Sequence, residues 1–192
     1  MLLKRSSPIH RFLDILIWHG LLRGLFRDYA LSIDLRGNER VLDFGCRSGA
    51  LSRGLAEVLL DGGGSVTCLD TSARWIEVAQ RRLRQYPNVA FLCGDIRDMD
   101  LETETFDVVT INFVLFAIDR DARPGLVAAF SPVLKQEGTI FIQEPTNEKR
   151  GMAPDEIRDL LSAAGWHEKG FKRSKSFATG PFYTGTYVRS SK

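Results

Sequence analysis

Five short apolar runs in the middle of the chain, each closed by an acid, an amide or a turn residue, constrain its fold most. They occupy residues 41–44, 66–69, 89–93, 106–112 and 139–143. Segments with helical periodicity separate them, at about 50–60, 73–85, 124–134 and 154–164. Runs apolar at nearly every position are strands buried on both faces, and helices between them make the sheet parallel and covered on both sides. Residues 171–178 and 182–189 break the alternation, because Thr179-Gly180-Pro181 is too short for a parallel crossover. That pair is therefore an antiparallel hairpin. Residues 8–30 read as one or two amphipathic helices, with Ile9, Phe12, Leu13, Leu16 and Ile17 on one face. A chain of 192 residues has room for one such domain. The expectation is an α/β protein with a seven-stranded, mostly parallel sheet, a helical lid over 1–37 and the sheet domain over 38–192.

In an open parallel sheet, ligands bind beyond the carboxyl ends of the strands. After the first strand comes Asp43-Phe44-Gly45-Cys46-Arg47-Ser48-Gly49, a glycine turn leading straight into a helix. Glycines there let the backbone approach a ligand that a side chain would exclude. After the second strand comes Asp70, 21 residues past Gly49, where a carboxylate can accept from both hydroxyls of a ribose. Thr71 and Ser72 follow it as candidate helix caps. Gly94-Asp95-Ile96 closes the third strand and Asn112-Phe113 the fourth. Each acid alone serves equally well as a turn former or helix cap. Three acids in order at successive strand ends point to a nucleoside-bearing ligand.

These residues resemble the class I S-adenosylmethionine-dependent methyltransferases, over roughly residues 38–189. The run from Asp43 to Gly49 is similar to the family's first motif, Leu69-Asp70 to the second and Gly94-Asp95-Ile96 to the third. Phe106-Asp107-Val108-Val109 with Asn112 is similar to the fourth, and residues 134–139 resemble the turn before the fifth strand. The resemblance implies a Rossmann-like three-layer sandwich with strand order 3-2-1-4-5-7-6. It places Asp43, Gly45 and Gly49 at the methionine end of the cofactor, Asp70 at the ribose, and Asp95 with Ile96 at the adenine, with Cys46, Arg47 and Thr71 also in the cofactor-binding set. Asn112 and Phe113 complete the implied cofactor set. Arg47 departs from the pattern, standing where a glycine is expected. A left-handed backbone there costs arginine on the order of 1 kcal/mol. Two placements suit its guanidinium: a pair with the cofactor carboxylate, or solvent.

Methyl transfer from a sulfonium needs alignment and exclusion of water, and needs a base only when the acceptor carries a high-pKa proton. The absence of an obvious catalytic dyad therefore does not weigh against an enzyme. Tyr29 and Tyr183 are the phenols expected to reach the cleft. Asn112-Phe113-Val114-Leu115 is not the motif of enzymes that methylate planar amines, and no basic-aromatic stripe suggests nucleic acid. Residues 1–30 carry a net charge of +3 and residues 166–192 of +5. With the apolar N-terminal segment, these basic ends suit a small, lipid-like or amphiphilic acceptor and peripheral contact with a membrane surface. Cys46, Cys68 and Cys93 show no metal-ligand spacing and read as buried thiols of a cytoplasmic protein. Oligomeric state is open, a homo-oligomer included. Two other readings compete: a non-catalytic cofactor-binding subunit that needs a partner protein, and a nicotinamide-dependent oxidoreductase using Asp70 on its own ribose.

Overall fold

The computed structural model describes residues 23–147, 151–176 and 180–189. Helix α1 (Arg23–Ser32) precedes β1 (Arg40–Phe44), α2 (Ala50–Leu59), β2 (Ser65–Asp70), α3 (Ala73–Leu83) and β3 (Val89–Cys93). Then follow β4 (Phe106–Asn112), α4 (Arg123–Ala128), α5 (Phe130–Val133), β5 (Leu134–Pro145), α6 (Pro154–Ala163), β6 (Trp166–Ser176) and β7 (Gly180–Arg189). The amphipathic pattern over residues 8–22 lies outside the described residues.

The sheet has seven strands in the order β3-β2-β1-β4-β5-β7-β6. Strands β1 to β5 run parallel, and β7 is antiparallel to both β5 and β6, as the short hairpin connection requires. Two cores cover the two faces. Leu42, Val109, Ile111, Ile140 and Ile142 pack with Leu126, Phe130, Ile157 and Leu161 from α4, α5 and α6. Val41, Val66, Cys68 and Val108 pack with Phe26, Leu55, Ile76 and Leu83 from α1, α2 and α3. Helix α1 comes close to α2 because Gly54 has no side chain: a Cβ there would lie 2.8 Å from the Ala30 Cβ. That contact seats Phe26 over the carboxyl end of β1, with Tyr29 buried in the same core.

Three expectations need correction. The single helix over 124–134 is two short ones, broken at Ala129. Pro132 supplies the reason, since its ring clashes with the carbonyl four residues back, Ala128, and it donates no hydrogen bond. The fifth strand starts at Leu134 rather than 139, with Phe106 opposite Leu134 and Val108 opposite Thr139. Residues 135–138 thus bulge opposite Asp107, whose Oδ1 accepts from Lys135 Nζ at 2.6 Å. Cys46 and Cys68 are buried, but Cys93 is exposed because β3 is the outer strand of the sheet.

Candidate cofactor and acceptor site

A cleft opens beyond the ends of β1 and β4, lined by Phe26, the turn from Asp43 to Leu51, and Asn112-Phe113. Its floor is the glycine turn. The Gly45 and Cys46 N–H groups both donate to the Leu69 carbonyl, at 2.8 and 3.1 Å, tying the turn to the end of β2. Gly45 (φ 69) and Gly49 (φ 74) adopt the left-handed backbone that glycine tolerates. Space demands glycine as well: a Cβ at 45 would meet Val114 Cγ2 at 2.5 Å, and one at 49 would meet Leu83 Cδ1 at 2.7 Å.

Arg47 is also left-handed, at φ 50. Its N–H donates to Asp70 Oδ2 at 2.9 Å, and its guanidinium lies over the Trp75 ring, 5.3 Å from the centroid. This stacked position is neither of the two placements expected from the sequence. A cation over an indole is worth about 0.5–1 kcal/mol at such a site, which offsets much of the backbone strain.

The three acids differ in environment. Asp43 is 2% exposed; its Oδ2 accepts from Ser52 Oγ at 2.5 Å and its Oδ1 from Thr110 Oγ1 at 2.9 Å. Burial pushes its carboxyl up to about 6, against the pull of those two hydroxyls. Asp70 accepts from Arg47 N–H on one oxygen and from Ser72 N–H on the other. Burial raises its pKa and the two amide donors oppose the rise. Each Asp70 oxygen keeps a lone pair, so the pair of sites expected for ribose hydroxyls is intact. Ser72, not Thr71, caps α3, accepting from Trp75 N–H at 3.4 Å, and Thr71 is exposed. Asp95 is held by Arg97: Oδ1 accepts from its N–H and Nε, Oδ2 from its Nη2. That guanidinium keeps the Asp95 carboxyl below its ordinary range, and Oδ2 alone has an acceptor position left over. Ile96 is 4% exposed and belongs to the core.

On the acceptor side, Phe113 adopts φ 55, uncommon for a bulky residue, and meets Phe182 edge-on with ring centroids 6.2 Å apart. Asn112 Oδ1 and the Tyr29 hydroxyl are buried and find no hydrogen-bond partner among the described residues. Tyr29 is 6% exposed, and its phenol is driven up by burial and by the negative charges of Asp43 and Glu144. Tyr183 must be withdrawn from the cleft. Its hydroxyl bonds to Glu168 and, at 2.6 Å, to Tyr187, while its ring stacks on Phe171 on the α6 side of the sheet. Period-two alternation gives the cleft side to its neighbour Phe182. Sequence reasoning also passed over Glu144, one residue beyond the expected strand end at Gln143. An acid closing the run 139–144 is the same signal that marked Asp43 and Asp70.

The comparisons with known proteins agree with this fold. The sequence profile of the methyltransferase-domain family matches residues 41–138. The chain belongs to the class I S-adenosylmethionine-dependent methyltransferase family. A malonyl-[acyl-carrier protein] O-methyltransferase from Halalkalibacterium halodurans is 31% identical over 104 residues, which is 53% of this chain and 37% of that protein. A demethylmenaquinone methyltransferase from Clavibacter sepedonicus is 36% identical over 106 residues, 55% of this chain and 41% of that one. The chain therefore spans less than half the length of these two relatives. Among solved structures, a TehB-like methyltransferase from Corynebacterium glutamicum superposes with TM-score 0.74 at 16% identity. That match covers 96% of this chain and all of the other, and it shows the shared fold.

S-adenosylmethionine is the cofactor the family implies, and the residues fit it. Beside the left-handed turn at Gly45 and Gly49, Asp70 offers two acceptors, and Asn112 Oδ1 is a buried acceptor without a donor among the described residues. Among the described residues, no group of His, Cys, Asp and Glu is placed to hold a metal ion, and no helix is long and apolar enough to cross a membrane.

Proposed function

We propose that the protein transfers a methyl group from S-adenosylmethionine to a small, lipid-like or amphiphilic acceptor by in-line displacement. The observation that carries this reading is the ordered set of stations at successive strand ends: the 43–49 turn, Asp70, Asp95 and then Asn112-Phe113. In this reading the turn cradles the methionine end, Asp70 takes the ribose hydroxyls, and Asp95 Oδ2 takes the adenine amine. Cys46 and Phe113 wall the cleft, and Thr71 and Ile96 border the nucleoside. Bound cofactor supplies the electrophilic methyl group. The protein's own part is to orient donor and acceptor and to keep water out.

The apolar walls support an amphiphilic acceptor. Phe26 lines the cleft, and Phe113 and Phe182 pack together at its far side. A relative named for demethylmenaquinone points the same way. In this reading Tyr29 is the phenol that would hydrogen-bond a cofactor or acceptor oxygen, supported by its buried hydroxyl having no partner among the described residues. Peripheral contact through the basic, apolar N-terminal segment would deliver such a substrate.

A radiolabel-transfer screen on the isolated chain tests this, with quinone precursors, phospholipid amines and small polar amines as separate pools. Transfer to the amphiphilic pools is expected. Cofactor binding without transfer to any pool would favour the non-catalytic subunit instead.

A further inference from the structure

Glu144 is fully buried at the carboxyl end of β5, one strand away from the cleft. Its Oε1 accepts from Val114 N–H at 2.9 Å and Leu115 N–H at 2.7 Å, and its Oε2 lies 3.3 Å from Phe116 N–H. These three amides belong to the loop that continues directly from Asn112-Phe113. Val114 in turn packs on the glycine turn so closely that its methyls occupy the place a Gly45 side chain would take. One carboxylate thus ties the acceptor-side loop to β5 and, through Val114, presses it on the cofactor turn.

We propose that Glu144 is a positioning residue of the methyl-transfer site, holding the 112–116 loop against the Gly45 turn in its ionised form. The proposal rests on the reading that S-adenosylmethionine occupies the cleft. A carboxylate offers charged acceptors on both oxygens, whereas a protonated carboxyl is a weaker acceptor and puts a proton on one oxygen, loosening the amide held there. Burial pushes Glu144 up to about 7, opposed by the three amides and by Arg123, so the two forms exchange near neutral pH. The charged and titratable groups that interact with it are Tyr29 on α1 and Arg123 on α4. Arg123 is already committed to Glu156 at 2.6 Å and to the Ile118 carbonyl. Tyr183, the register neighbour on β7, turns its phenol away to Glu168.

The test combines nuclear magnetic resonance with calorimetry on the full chain. The amide signals of Val114, Leu115 and Phe116 should titrate together with a midpoint near pH 7. S-adenosylmethionine and S-adenosylhomocysteine should both weaken by the same factor, about ten-fold, between pH 8 and 6, the value of one charge-assisted hydrogen bond. Glu144→Gln should bind both about ten-fold more weakly at pH 8 and lose the step near 7, keeping only the lower step of Asp43. A variant with the wild-type pH profile, or amides that do not move, would overturn the proposal. So would weakening of the sulfonium ligand alone, which would mean direct charge attraction rather than loop positioning. If Glu144→Gln does not fold, the wild-type amide titration still decides. If the amides titrate but neither ligand binds at any pH, the functional reading fails while the hold of Glu144 on the loop stands.

Discussion

At the scale of single residues, Arg47 shows how a departure from a motif is absorbed. The backbone keeps the left-handed turn that glycine would adopt, and the side chain recovers part of the strain by stacking on Trp75. Arg47→Gly should therefore fall within about 0.5 kcal/mol of wild type in a urea melt, because the relieved strain and the lost stack nearly cancel. Arg47→Ala keeps the strain and loses the stack, so it should be less stable by roughly 0.5–1 kcal/mol. Equal losses in both variants would refute that partition. The ribose station allows a sharper prediction. Asp70→Ala removes two charged acceptors and should weaken S-adenosylhomocysteine at least about ten-fold by calorimetry. Much of this site was legible in the sequence because acids and glycines at strand ends are local signals. The direction of Tyr183 was not, since the face a side chain takes depends on strand register, and that is set by pairing with β5.

Among the elements, the contact between α1 and α2 governs the cleft from outside it. Ala30 sits against Gly54 with no room for a side chain, and the same helix carries Phe26 to the cleft wall. Gly54→Val should push α1 outward, destabilising the fold by about 1–3 kcal/mol through overpacking. It should also lower cofactor affinity while the sheet signal in circular dichroism is kept. Unchanged affinity would show that α1 plays no part in binding. Strand existence and order followed from the apolar runs and the connection lengths, which are sequence-local. The break before Phe130 was legible in principle, because Pro132 marks it. The bulge at 135–138 was not, as it reflects how β5 meets β4 opposite Asp107.

For the whole molecule, two buried carboxylates set the response to pH. Asp43 at about 6 and Glu144 at about 7 both stand above their ordinary values, so the folded state holds more protons than the unfolded chain between roughly pH 4 and 7. With raised acids the sign is fixed: stability falls as pH rises through that window and levels off above it. Urea melts at pH 6 and 8 should show lower stability at pH 8, and Asp43→Asn should shrink the difference. A protein more stable at pH 8 than at 6 would contradict this electrostatic picture. Both carboxylates lie near strand ends, Asp43 in the cleft wall and Glu144 one strand away, and acids raised by burial cluster at functional sites. The central claim is that this arrangement holds S-adenosylmethionine rather than a nicotinamide nucleotide. Calorimetric titration of the purified chain with S-adenosylhomocysteine and, separately, with NAD tests it most directly. Saturable one-to-one heat with S-adenosylhomocysteine, abolished or sharply weakened in Asp70→Ala, and none with NAD is the predicted result; tight NAD binding without S-adenosylhomocysteine heat would contradict it.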